Sequence, residues 1–168
     1  MSDRDRIVEL IPRLRRYARA LSGGRGEADD LVQDTLARAF DKLHLWRPER
    51  DLRVWLFSVM HNLHVDQGRA RRARPEVPMG GEALLAPASG GPGDVLERQR
   101  LIRALEWLPA PQKQVLLLVA LEQLSYDEVA RALGIPVGTV MSRLSRARAT
   151  LRALLAGDGR APTLEVVR

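Results

Sequence analysis

Apolar residues recur along this chain with the three- and four-residue spacing of amphipathic helices, and no segment shows the alternation of a strand. The pattern of the first half predicts helices from about Ile11 to Ser22, from about Glu27 to Leu43 and from about Leu52 to Arg69. Pro12 lies in the first periodic segment, so we expect a break there, because proline removes a helical hydrogen bond. The chain is predicted to be all-α.

The composition changes abruptly between Pro75 and Asp94, where four prolines and five glycines interrupt the periodic pattern. Both residue types oppose regular structure, so residues 75–94 are predicted to form a flexible linker. The linker divides the chain into two small helical domains, residues 1–74 and residues 95–156. Residues 157–168 contain turn formers without periodicity, and we expect a loose tail there.

The second domain begins with a periodic helix that ends at Pro109 and Pro111, and an apolar run follows from Val115 to Leu121. This run is apolar on nearly all sides, which predicts a buried helix. It is far too short to cross a bilayer, and the first six residues are too charged for a signal peptide. We therefore expect a cytoplasmic protein without direct membrane insertion.

A helix-turn-helix pattern occupies residues 124–148. Ser125 can cap a helix N-terminus, and Glu128 three residues later completes a capping box. Gly134 favours the end of that helix, and Pro136 forces a turn because it cannot continue a helix interior. A second helix follows, and its predicted buried stripe holds Val140, Leu144, Ala147, Leu151 and Leu154.

The opposite face of this second helix combines short hydroxyls with arginines. Its residues are Thr139, Ser142, Arg143, Arg146 and Thr150. Such side chains can read base edges in the major groove and bind phosphates. The simpler alternative is a basic amphipathic helix with a solvated face. The capped first helix and the glycine turn favour DNA binding, because together they complete a helix-turn-helix.

The formal charge of +6 and the isoelectric point near 10.8 favour a polyanionic partner. Arginine supplies nearly all of this excess, since Lys42 and Lys113 are the only lysines, and its planar fork suits phosphate and guanine. The absence of cysteine excludes disulfides and thiolate zinc sites. His61 and His64 have a spacing that can bind metal, but no third ligand accompanies them, so we predict no metal or cofactor.

Five stretches together resemble the extracytoplasmic-function (ECF) sigma factors, the compact two-domain class of bacterial sigma-70-type initiation factors. They are Ala28–Phe40, Leu52–Asp66, the pair Leu108–Pro109, Leu124–Ala130 and Gly134–Arg148. The presence of both domains in this order, joined by such a linker, is highly specific. The resemblance implies a region 2-like domain followed by a region 4-like helix-turn-helix domain.

The resemblance implies that one acidic helix face docks on core RNA polymerase. Its residues are Asp29, Asp30, Gln33 and Asp34. The alternative is that these acids serve solubility and the helix dipole. A metal-dependent nuclease is disfavoured, because Asp29 and Asp30 are adjacent and point to different sides.

By the same resemblance, the loop from His44 to Asp51 and the helix after it melt the −10 element and hold its single strand. Single-strand capture needs cations along the backbone and surfaces that accept bases. The implied residues are Trp46, Arg47, Arg50, His61, Asn62, Asp66, Arg69, Arg71 and Arg72, with Arg74 beyond them. Trp46 has an alternative role as a loop anchor packed on the domain.

The resemblance places the second helix of the helix-turn-helix, Val137 to Leu155, in the major groove of the −35 element. The implied residues are Thr139, Met141, Ser142, Arg143, Ser145, Arg146 and Arg148. Four positions depart from the family pattern: Met141 replaces a basic or polar residue, Gln123 replaces a frequent glycine, and Gln67–Gly68 weakens the end of the third helix. Promoter preference therefore does not transfer from relatives.

These assignments predict an alternative sigma factor that binds core RNA polymerase and promoter DNA, responds to stress and is controlled by an anti-sigma factor. It would catalyse no reaction and bind no small-molecule substrate. A stand-alone helix-turn-helix regulator is one alternative, although no dimerisation helix is visible in the sequence. A sigma-like decoy that sequesters an anti-sigma protein is another, although such proteins tend to lose the basic DNA-facing residues that this chain keeps.

Overall fold

The computed structural model describes residues 1–73 and 91–157, and within these ranges every regular element is helical. The first group of helices contains α1 (Asp3–Ser22), α2 (Arg25–Asp41) and α3 (Leu52–Ala73), with a short 3-10 turn at Leu43–Leu45. The second group contains α4 (Pro92–Trp107), α5 (Ala110–Ala120), α6 (Tyr126–Leu133) and α7 (Val137–Ala156). The predicted all-α fold is confirmed.

Helix α1 begins well before its predicted start, because a capping box forms at Ser2. The Ser2 hydroxyl accepts the Asp5 amide over 3.2 Å, and the Asp5 carboxylate accepts the Ser2 amide over 3.0 Å. The predicted break near Pro12 is wrong, since α1 continues through this exposed proline. One missing hydrogen bond is tolerated because Ile7 and Leu14, on either side of the proline, are both buried.

The ends of two other helices also differ from the prediction. Helix α3 continues through Gly68 to Ala73, past its predicted end. Helix α4 starts at Pro92, within the segment predicted as linker, because the fixed φ and missing donor of proline suit a first helical turn. The remainder of the linker prediction, residues 75–90, and the tail prediction for residues 158–168 lie outside the described residues.

The helix-turn-helix forms as predicted. The Ser125 hydroxyl accepts the Glu128 amide over 3.1 Å, and the Glu128 carboxylate accepts the Ser125 amide over 3.0 Å. Gly134 ends α6 in the left-handed region at φ 66°, where glycine avoids the penalty that a Cβ atom carries. Pro136 then precedes α7, whose Val140, Leu144 and Ala147 are buried.

The two groups of helices pack against each other rather than lying apart. Within the first group, Tyr17 of α1 meets the Phe57 ring of α3 edge-on, with ring centroids 5.2 Å apart. Between the groups, α3 packs on α6 and α1 packs on α5. The buried apolar residues of both groups form one connected cluster, so the described chain is closed around a shared core.

Candidate polymerase and nucleic-acid surfaces

Helix α2 presents most of the predicted polymerase-docking face to solvent. Asp30, Gln33 and Asp34 are exposed, whereas Asp29 is half-buried. Residues three and four apart share one side of a helix, so the three exposed groups form one patch. The Asp34 carboxylate also accepts the Gln67 amide of α3 over 2.9 Å, which connects this patch to the neighbouring helix.

Trp46 anchors the loop between α2 and α3, since its side chain is only 6% exposed. The Arg6 guanidinium lies 5.3 Å from the ring centroid, which is a cation–π distance. Among the described residues, the Trp46 indole N–H has no hydrogen-bond partner. In this conformation the buried Trp46 ring anchors the loop to the domain. It is not accessible for the predicted contact with a base of single-stranded DNA. Arg47 and Arg50 are exposed in the same loop.

The predicted −10-reading residues of α3 lie on a partly open face. Asn62 and Asp66, one turn apart, are exposed, and so is Arg69. Arg71 is exposed as well, but it donates to the Glu27 carboxylate of α2 over 3.0 Å. Two further arginines predicted here have side chains outside the described part of the structure, Arg72 and Arg74.

His61 and His64 are half-buried on α3 rather than freely exposed. Burial lowers the pKa of His61, with smaller contributions from His64 and Arg143. Burial also lowers the pKa of His64, followed by the charges of Arg71 and Lys113. Both imidazoles therefore favour the neutral form, and Arg143 of α7 acts electrostatically on a residue predicted to read the −10 element.

Helix α7 exposes most of the residues predicted to contact the −35 element. The exposed members are Met141, Ser142, Ser145, Arg146 and Arg148. Thr139 and Arg143 are half-buried, and the Ser142 hydroxyl donates to the Thr139 carbonyl over 3.2 Å. Thr150, one turn after Arg146, is half-buried, and its hydroxyl donates to the Gln112 side chain of α5 over 3.4 Å.

A buried acid joins the two groups of helices, and the sequence pattern did not predict it. Glu122, in the turn after α5, is fully buried. Arg13 of α1 donates to its carboxylate over 2.8 Å and to its backbone carbonyl over 2.7 Å. Arg16 donates to the other carboxylate oxygen over 3.2 Å and to the Leu121 carbonyl over 3.2 Å. The only local signal was a charged residue directly after the apolar run Val115–Leu121.

Two further polar contacts cross the same interface. Lys113 of α5 donates to the Leu21 carbonyl at the end of α1 over 3.1 Å, and burial lowers the pKa of its ammonium group. Arg53 of α3 donates to the Glu128 carboxylate of α6 over 3.0 Å. Burial raises the pKa of the Tyr17 phenol, and the negative charge of Glu122 raises it further. The interface is therefore held by charged groups as well as by apolar packing.

Neither a metal cluster nor a membrane span is found in residues 1–73 and 91–157. In these ranges, no three histidine, aspartate or glutamate side chains lie close enough to share a metal ion. Within the same ranges, no helix combines the length and the apolar character that crossing a bilayer requires.

A three-helix domain with an acidic face, followed by a helix-turn-helix domain, defines a two-domain, all-helical DNA-binding protein of the sigma type. The family model described as the Sigma2 domain of PhyR matches residues 7–61, and that of sigma-70 region 4 matches residues 98–151. The ECF RNA polymerase sigma factor EcfG of Rhodopseudomonas palustris (strain TIE-1) is 40% identical over 156 residues, which cover 93% of this chain and 86% of EcfG. The chain belongs to the ECF RNA polymerase sigma factors, which confirms the resemblance.

Solved structures of sigma factors share the fold over nearly the whole chain. The sigma factor RpoE of Bartonella quintana, solved with the anti-sigma factor NepR, is 33% identical with a TM-score of 0.79, over 92% of this chain and 96% of RpoE. CnrH, solved with the cytosolic domain of CnrY, is 31% identical with a TM-score of 0.69, over 92% of this chain and 87% of CnrH. The likeness extends across both helical groups.

Proposed function

We propose that this sigma factor binds core RNA polymerase through α2 and reads promoter DNA with α3 and α7. The observation that carries the proposal is the outer face of α7, which follows a capped helix and a left-handed glycine turn. There, exposed Arg146 and Arg148 suit phosphate or guanine, and exposed Ser142 and Ser145 suit base edges or phosphates. This face enters the major groove of the −35 element.

The loop before α3 and the face of α3 act on the −10 element. Arg47 and Arg50 supply exposed positive charge in the loop, and Asn62 is exposed on the helix that follows it. Cations along a strand and polar groups at its bases are what single-strand capture requires. Trp46 contributes by holding the loop in place.

The exposed patch of α2 carries the contact with core RNA polymerase. Asp30, Gln33 and Asp34 offer acceptors on one helical side, and a basic partner surface complements them. The protein itself makes and breaks no bonds and needs no cofactor. It works in the cytoplasm by joining two weak DNA readers, each of which raises the effective concentration of the other.

An anti-sigma protein is the proposed regulator. Support comes from RpoE of Bartonella quintana, which is 33% identical and was solved with the anti-sigma factor NepR. A chain of the same fold and similar sequence offers a comparable surface to such a partner.

A sigma-like decoy, which captures only an anti-sigma protein, fits α7 less well. Three arginines of this helix, Arg143, Arg146 and Arg148, retain the positive charge that DNA contact needs. A protein that captures only an anti-sigma protein does not contact DNA and does not need these positive charges.

Run-off transcription with sigma-free core polymerase tests the proposal, on DNA upstream of the operon that encodes this protein. A discrete transcript that depends on the added protein is the expected result. Core binding is measured in the same samples by native gel shift. Absence of core binding, combined with tight duplex binding by a dimer of the free protein, would instead identify a stand-alone regulator.

A further inference from the structure

The turn between α5 and α6 inserts a carboxylate into the other helical group. Glu122 is fully buried, and each of its two carboxylate oxygens accepts from a different arginine of α1. Arg13 and Arg16 are three residues apart on α1, so both guanidinium groups reach the same turn. A buried carboxylate is tolerated when its charge is paired and hydrogen-bonded in this way.

The backbone of the same turn also depends on α1. The carbonyls of Leu121 and Glu122 follow the C-terminal end of α5, and they accept from Arg16 and Arg13. Cations at a helix C-terminus are favourable, because the last carbonyls carry partial negative charge. Gln123 has φ 56°, a left-handed conformation that residues other than glycine rarely adopt. Such a conformation persists where surrounding contacts hold it.

Closure through this turn brings the two predicted DNA-reading domains into contact. Helix α3 packs on α6, and the Arg53 guanidinium donates to the Glu128 carboxylate across this contact over 3.0 Å. Elements centred at −10 and −35 are about 25 base pairs apart, or about 85 Å of B-DNA at roughly 3.4 Å per base pair. The packed arrangement cannot read both elements at once, so the domains must separate before initiation.

We propose that Glu122, Arg13 and Arg16 form a latch that holds the free protein closed, and that this latch opens when polymerase and promoter are bound. The inference rests on the proposed function, because it assumes that the two domains read separate promoter elements. The arginine side chains are 32% and 49% exposed, so water reaches them already in the closed form. On opening, the three charges become solvated, which makes the latch reversible.

Distance measurements by double electron–electron resonance test the latch in the full chain. The protein has no cysteine, so spin labels can be attached at Lys42→Cys and Ala153→Cys, both exposed and one in each helical group. In the protein with the unmodified latch, one short distance between the two spin labels is expected. The pair Arg13→Ala with Arg16→Ala is expected to add a long-distance population, raising the open fraction about tenfold or more.

Arg15→Ala is the matched control, because Arg15 is an exposed arginine on the same helix. It should leave the distance unchanged. Glu122→Gln removes the charge from the other side while keeping the side-chain shape, and should also produce the open population. This variant decides the question if the double variant loses helical content by circular dichroism.

The latch is rejected if the reference protein is already open, or if Arg15→Ala changes the distances as much as the latch variants do. Unchanged distances in folded latch variants reject it as well. Failure of the proposed function has a different signature: the latch variants open, yet neither they nor the reference protein bind core polymerase. If both ideas hold, the opened variants bind core polymerase more tightly by about the factor by which the open fraction rises.

Discussion

The Nε atom of Arg13 donates to the Oε2 atom of Glu122 over 2.8 Å, although 109 residues separate the two along the chain. Glu122 is fully buried and the Arg13 side chain is 32% exposed. Removing one partner of such a pair leaves a buried charge uncompensated, so a variant that lacks one partner loses more stability than it would at a surface pair. It links α1 to the turn that precedes the helix-turn-helix.

Arg146→Ala should weaken binding to duplex −35 DNA, because a guanidinium that contacts a base or phosphate is lost. We expect a loss of about 1–3 kcal/mol, or about 5- to 150-fold in affinity, with core polymerase binding unchanged. Fluorescence anisotropy of the holoenzyme on labelled duplex measures it. Arg152→Ala is the control, since Arg152 is also exposed on α7 but lies outside the predicted contact set. Equal losses of DNA affinity in both variants would show that overall positive charge, and not a contact made by Arg146, causes the effect.

Asp30→Ala combined with Asp34→Ala should weaken holoenzyme formation by about tenfold, because two carboxylates that face a basic partner are removed. Competition for core polymerase against an unmodified labelled sigma factor measures this. Asp41→Ala removes an exposed acid at the other end of α2 and should have little effect. If holoenzyme forms equally well with all three proteins, the α2 patch is not the docking surface.

Two glycines of the helix-turn-helix should respond in opposite directions to alanine. Gly134→Ala should destabilise the protein by about 1–2 kcal/mol, because Gly134 is left-handed at φ 66°. Gly138→Ala should stabilise it by about 0.5–1 kcal/mol, because Gly138 lies within α7 and alanine favours a helix. An added Cβ atom meets nothing within 4 Å at either position, so packing does not obscure the comparison.

Urea unfolding of the two glycine variants and the unmodified protein measures both effects. Loss of stability in both variants would indicate that α7 does not start where the structure places it.

Stability should decrease as the pH falls below about 6.5, the ordinary pKa of histidine. The fold lowers the pKa of His61 and His64, mainly by burial, so the unfolded chain takes up protons first. The stability that the two neutral histidines contribute is therefore fully present above their pKa in the unfolded chain. It is lost as the pH falls through their lower pKa values in the folded protein.

Thermal unfolding between pH 8 and pH 5 measures the histidine effect. His61→Gln with His64→Gln should flatten the profile. An equally steep profile in the double variant would assign the acid sensitivity to other groups.

Much of the local structure could be predicted from the sequence, because its causes lie within a few residues. The Ser125–Glu128 capping box and the turn at Gly134 involve neighbouring residues, and both form as predicted. Gln123 departs from a glycine that is frequent in the family, and its φ of 56° lies in the region that glycine adopts without strain. The polymerase and DNA contacts assigned to α2, α3 and α7 stay predictions.

The sequence by itself determined the helices, the helix-turn-helix and the family, since periodicity, caps and motifs are properties of short stretches. Only the tertiary structure decided that α1 continues through Pro12, that Trp46 is buried under Arg6, and that Glu122 joins the domains. Each of these outcomes depends on contacts between residues far apart in the chain. The energy of such contacts comes from burial and charge pairing, which exist only after the helices have packed.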